Sequence, residues 1–194
     1  MAIQHKVYTA DDLWELSKLP EYADKRIELI EGELIEMSPS SMTPSVISAI
    51  IHILLGAYVM EHDLGYTNVS EGGYALSPNN VLAPDVGFFT KDRATKLPRR
   101  YFHGAPDLAV EVVSPTDDAK ETLRKAAKYI AYGTRLVWIV YPKYKSVDIC
   151  RPATDGDMVI QEIGIDGVLD GGDVVPGFTL AIKDIFNIPD EESE

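Results

Sequence analysis

Apolar and polar positions follow two different periods along this chain, and the switches between them mark out its elements. Leu108-Ala-Val-Glu-Val-Val113 is apolar throughout except for Glu111. That continuity predicts a strand covered on both faces, with Leu108, Val110 and Val112 on one side and Ala109, Glu111 and Val113 on the other. Leu136-Val-Trp-Ile-Val140 predicts a second such strand. Between them Ser114-Pro115 breaks the first strand. Thr116 or Asp117 then caps a helix that runs to Gly133, with its buried stripe at Leu123, Ala126, Ala127 and Ile130. Strand, helix and strand make a β-α-β unit, whose strands should be parallel and whose crossover should be right-handed.

The rest of the pattern reads as antiparallel surroundings. Thr9-Ala-Asp-Asp12 resembles a capping box and opens a short helix that stops near Pro20. Arg26–Ile30 and Glu33–Met37 alternate around Glu31-Gly32, which predicts a hairpin. Ser38–Pro44 reads as a loop, and Ser45–Glu61 has helical apolar spacing that should end at Gly65. Tyr66–Leu76 predicts a strand bulged at Gly72-Gly73, and Ser77–Asn80 a turn. Val81–Thr90 predicts a strand running past Pro84-Asp85. Ser146–Arg151 and Met158–Ile163 should pair antiparallel, Gly164–Gly177 is rich in turn residues, and Ile182–Phe186 closes with a short helix. The expectation is a single domain over residues 1–194, of α/β or α+β class, with a mixed β-sheet flanked by helices and an acidic tail at residues 190–194.

Composition narrows the setting. The 194 residues are 45% hydrophobic and 9% aromatic, ordinary for a chain with a packed core. A single cysteine, Cys150, rules out an internal disulfide, and the first residues lack the apolar core of a signal peptide. The apolar stretch Val46–Met60 reads as too short to span a bilayer. A cytoplasmic protein without membrane partners is expected. The net charge of −13 argues against loose, sequence-independent binding to polyanions. The one basic cluster, Lys91–Arg100, is either a solvated loop or a phosphate-facing one.

The candidate chemistry starts from Glu111, a carboxylate in a strand where carboxylates are rare unless paired or bound to metal. Asp85, on the neighbouring stretch Ala83-Pro84-Asp85-Val86, is a second acid of the same kind. Two acids on adjacent strands with a lysine nearby suit metal-assisted phosphodiester hydrolysis, in which a divalent ion acidifies water and stabilises charge on the phosphate. In such sites a lysine often lies two residues after the second acid. Here that position is Val113, so the lysine must come from the following helix, which offers Lys120, Lys125 and Lys128.

Five stretches in order carry a resemblance: the hairpin Glu28-Leu-Ile-Glu-Gly32, then Pro84-Asp85-Val86, Asp107–Pro115, Lys125 with Tyr129 and Gly133, and Trp138-Ile-Val-Tyr-Pro142. Together with Val175-Pro-Gly-Phe-Thr-Leu180 they resemble the Uma-two family of restriction-endonuclease-like proteins, within the PD-(D/E)XK nuclease superfamily. The resemblance runs from about Arg26 to Phe186. It implies a restriction-endonuclease-like fold and hydrolysis of DNA with Mg²⁺, or Mn²⁺ in its place. It also implies that Asp85 and Glu111 bind the metal, that Lys125 is the displaced lysine, and that Glu28 is an additional catalytic acid. A homodimer would let two sites cut the two strands of a duplex. The chain departs from the family at Ser45, where a histidine is frequent, and at Tyr141, where an acid is usual.

Each assignment has a plainer competitor. Asp85 can cap a turn, and Glu28 can form a cross-strand ion pair. By pattern Lys125 lies off the buried stripe, on the solvated side of its helix, with Lys128 as substitute. Asp107 at a strand entrance reads as a loop ligand, and His5, His52, His62 and His103 lack metal-ligand spacing. The rival functions are a catalytically inactive module that keeps the nuclease fold for binding or assembly, and a metal-dependent hydrolase of another phosphate substrate.

Overall fold

The computed structural model describes residues 6–189 apart from 116 and 155. His5, Thr116 and the acidic tail at 190–194 therefore lie outside the described residues. Helix α1, Ala10–Leu16, begins on the anticipated capping box, with Thr9 and Asp12 satisfying each other's backbone N–H groups. Strands β1, Arg26–Ile30, and β2, Glu33–Met37, form the hairpin. Its two turn residues, Glu31 and Gly32, both have positive φ (52° and 83°), as tight hairpin turns require.

Helix α2 spans Met42–Glu61, three residues earlier than the apolar spacing suggested. Pro44 falls in its first turn, where a missing N–H costs nothing. At 20 residues it is long and apolar enough to cross a bilayer, contrary to the expectation from Val46–Met60. In this fold Ile47, Ile51, Leu55 and Val59 instead bury one of its faces in the core. Gly65 does not end the helix. Asp63, at φ 52°, makes the turn, and Gly65 opens β3, Gly65–Val69, where a Cβ would lie 2.2 Å from the Phe89 carbonyl oxygen.

Strands β4, Tyr74–Ser77, β5, Asn80–Leu82, and β6, Val86–Thr90, follow. Two long strands were expected over 66–90. Each is in fact split between two sheets, so Gly72-Gly73 marks a crossing and not a bulge. The crossing at Ala83-Pro84-Asp85 matters most, because it brings one acid to the junction. After β7, Phe102–His103, come β8, Leu108–Val112, α3, Ala119–Ala131, and β9, Leu136–Tyr141. Strands β8 and β9 are parallel, as the β-α-β pattern required. Asp118, and not Asp117, caps α3 by accepting from the Lys120 N–H. The antiparallel pair is β10, Ser146–Pro152, and β11, Met158–Ile163. Strands β12, Val168–Asp170, and β13, Thr179–Ala181, were not foreseen among the turn residues; α4, Ile182–Ile185, follows.

The sheets explain the two kinds of apolar pattern. The six-stranded sheet, ordered β11-β10-β9-β8-β6-β3, is mixed and covered on both faces. One face carries Leu108, Val110, Val112, Trp138 and Val140 against α2. The other carries Ala109, Val137, Ile139 and Cys150 against α3 and the five-stranded sheet β2-β1-β5-β4-β7. Glu111 lies on this second face. The result is a mixed α+β fold with mixed sheets flanked by helices.

Candidate functional site

Glu111 sits near the carboxyl end of β8, only 7% exposed. Its Oε1 accepts from the Tyr129 hydroxyl at 3.0 Å, and the Lys125 Nζ lies 3.1 Å from Oε1 and 3.2 Å from Oε2. Lys125 and Tyr129 are one helical turn apart on α3, so both reach the same acid. Tyr129 belongs to the buried stripe and Ala127 is exposed, which turns the helix slightly from the orientation inferred from its sequence. That rotation accounts for Lys125: its side chain is 13% exposed, not solvated.

Glu28 comes from β1 in the other sheet. It is 4% exposed, lies 2.8 Å from the Lys125 Nζ and accepts from the Ala83 N–H at 2.8 Å. The cross-strand ion pair considered for it is absent; its cation is Lys125, from α3. The same Ala83-Pro84-Asp85 link delivers Asp85. The last paired residues of β6 and β8 are Val86 and Val110, so one further step along the register points Asp85 toward Glu111. One Asp85 oxygen accepts from the Val112 N–H at 2.8 Å. Asp85, Glu111 and Lys125 line a common cleft of about 320 Å³ with Arg26, Asp117 and Thr122.

The electrostatics of this cluster are unbalanced. Burial raises the Glu111 pKa, Lys125 opposes the rise, and the neighbouring Asp85 and Glu28 charges add to it; the carboxyl stands well above its usual range. Burial likewise raises Asp85, against the Val112 N–H, Lys125 and Arg26. Burial works against the Lys125 charge, but Glu111 and Glu28 outweigh it and hold the ammonium above its ordinary pKa. The charged form of Lys125 is therefore favoured, which suits it to orient a water or face a phosphate. One ammonium stands among three carboxylates, and the surplus negative charge must be met by a proton or by another cation.

The donor set fits a hard ion. All the available groups are oxygens, and Asp85 uses one oxygen on the backbone and keeps the other. Among the described residues no group of three His, Cys, Asp or Glu side chains is arranged to hold a metal. A cation here would rest on two carboxylates and keep several waters, the habit of Mg²⁺ and not of Zn²⁺.

Other candidates go elsewhere. Lys128 pairs with Glu31 at 2.7 Å and leaves the acids to Lys125. Asp107 accepts from the Thr90 N–H and pairs with Arg93 at 3.1 Å and Arg135 at 3.4 Å, a structural knot. In the basic cluster, Lys91 pairs with Asp63, Arg93 with Asp107 and Arg100 with Asp11, which favours the loop reading over the phosphate-facing one. His52 shares a hydrogen bond with Thr67. Arg26 was overlooked from sequence: its alternation with Glu28 was visible, but not the cleft it faces.

Comparison with known proteins identifies the family and the fold. Residues 13–183 match the model of the Uma2 family, described as "Putative restriction endonuclease". The fold matches the crystal structure of "a putative nuclease belonging to DUF820" from Anabaena variabilis, with TM-score 0.74 and 20% identity over 92% of this chain and 97% of that one. No curated protein matches the sequence.

Proposed function

We propose that this chain, which belongs to the Uma2 family, is a Mg²⁺-dependent endonuclease that hydrolyses DNA phosphodiester bonds, with Mn²⁺ able to substitute. The observation that carries the reading is a buried lysine held between two acids, Glu28 and Glu111, in a cleft shared with Asp85. Asp85 and Glu111 would hold the ion. Once bound, it supplies Lewis-acid stabilisation of phosphate charge and acidifies water. Lys125, fixed by two carboxylates, presents its ammonium toward the cleft and adds positive charge where the attacked phosphate becomes more negative. Tyr129 holds the Glu111 carboxylate in place. Glu28 acts through Lys125 and does not itself touch substrate. Arg26, at the rim of the cleft, offers a second cation to a phosphate. Water would attack in line, forming a P–O bond as the bond to the 3′ oxygen breaks; its proton passes to solvent and the 3′ oxygen takes one from solvent, leaving a 5′ phosphate and a 3′ hydroxyl. Cutting both strands of a duplex takes two such sites, so a homodimer is part of this proposal.

The test is cleavage of supercoiled plasmid and of single-stranded DNA with Mg²⁺ or Mn²⁺, against an EDTA control. Glu111→Gln and Asp85→Asn should remain folded by circular dichroism and cut neither substrate. Cleavage at the wild-type rate by either variant would falsify the assignment.

A second reading is supported by the same lysine. Its ammonium already neutralises part of the acid cluster, as expected of a nuclease fold kept as a catalytically inactive binding or assembly module. Wild-type protein that folds but never cleaves, with either ion, decides for the module.

A further inference from the structure

Beside the acid cleft lies a larger cavity of about 570 Å³, within the range of pockets that enclose small organic groups. It opens at the carboxyl ends of the parallel strands β8 and β9, where such sheets receive ligands. Ser114 and Asp117 line both the cavity and the acid cleft, so the two are continuous. Its walls are mostly aromatic and apolar, Tyr141, Tyr144, Pro44 and Ile47 among them. Tyr141 is anchored by donating to Asp148 at 3.1 Å. Tyr144 is 69% exposed, its ring centroid is 6.5 Å from that of Tyr141, and the Lys143 Nζ lies 5.6 Å from the same ring. An exposed aromatic face beside a lysine, one step from the cleft proposed to receive the phosphate, matches the parts of a nucleotide in order.

We infer that this cavity takes the base of an unpaired nucleotide next to the scissile phosphate, stacked on Tyr144, with Lys143 meeting the adjoining phosphate. The inference rests on the nuclease reading and narrows its substrate to DNA in which the base beside the cut is unpaired, in a single strand or extruded from a duplex. A base within an intact duplex cannot enter such a pocket without leaving its stack. The net charge of −13 makes stacking the main source of affinity, with counterion release confined to the contact at Lys143.

The experiment measures fluorescence anisotropy of a labelled oligothymidylate of about a dozen nucleotides in EDTA, beside the blunt duplex of the same sequence. The single strand should bind more tightly than the duplex. Tyr144→Ala should weaken single-strand binding about tenfold, since stacking on one aromatic ring contributes that much. Lys143→Ala should reduce the slope of log affinity against log salt by roughly 0.7, the value for one phosphate contact on a single strand. Both residues are on the surface, so the fold should tolerate the changes, and circular dichroism checks this. Unchanged binding by Tyr144→Ala, or equal affinity for duplex, overturns the inference. Glu111→Gln, run in parallel, separates the two proposals. Retained binding with lost cleavage supports both. A wild type that never cleaves, but whose binding still depends on Tyr144, keeps the pocket and removes the nuclease.

Discussion

Replacing Lys125 by methionine removes the one cation placed between Glu28 and Glu111 while keeping most of its bulk. Those acids are 4% and 7% exposed, and the ammonium lies 2.8 Å and 3.1 Å from their nearest oxygens. Taking one partner from a buried ion pair costs about 3–5 kcal/mol. The Ala83 N–H still serves Glu28 and the Tyr129 hydroxyl still serves Glu111, so the lower end, about 3 kcal/mol, is expected. For a domain of this size that is a fall in Tm of about 6–12 °C. The loss depends on pH, and its sign is fixed. Glu111 is already raised in the folded state, and without Lys125 it rises further. A carboxyl whose folded pKa lies above its unfolded value, 4.5, costs stability only once it ionises in the unfolded chain. Wild type carries the same cost up to its own raised pKa, so the loss specific to the variant grows above that pH, where Lys125 lets Glu111 ionise and methionine does not. Urea unfolding followed by circular dichroism at pH 6 and pH 9 measures both sides. An equal loss at the two pH values would show that the lysine contributes packing and not charge.

Three further outcomes follow from the same geometry. Burial favours the protonated form of Glu111, so Mg²⁺ must displace that proton and its affinity by titration calorimetry should increase with pH by up to about tenfold per unit; affinity that does not change between pH 6 and pH 8 would remove Glu111 from the metal site. Asp107→Asn keeps an acceptor for Thr90 but loses the charge that holds Arg93 and Arg135, at about 1–3 kcal/mol in urea unfolding, with metal binding unchanged; altered metal binding at unchanged stability would contradict its structural role. Gly65→Ala puts a Cβ 2.2 Å from the Phe89 carbonyl oxygen and should lift β3 from β6, costing about 1–3 kcal/mol; an unmoved denaturation midpoint would show that the edge strand yields freely.

How far the sequence could be read depends on the range of the forces involved. The capping box at Thr9, the hairpin at Glu31-Gly32 and the β-α-β unit were legible because caps, turns and periodicity act over a few residues. Glu111 was legible for the same reason: a carboxylate in an unbroken apolar strand is anomalous wherever that strand ends up. The stretch 66–90 was misread, because its periodicity says which residues are buried but not in which sheet. The division at Ala83-Pro84-Asp85 follows from how the two sheets pack.

By itself, then, the sequence determined most of the elements, the anomaly at Glu111 and, through its motifs, the company of Asp85. Only the tertiary structure decided which cation answers the acids. Lys125 and Lys128 look alike on a helical projection, and three residues of rotation send one to Glu28 and Glu111 and the other to Glu31. A lysine's surroundings are set by what packs against its helix. Here Glu28 arrives from a strand nearly a hundred residues earlier in the chain, and no local pattern encodes that contact.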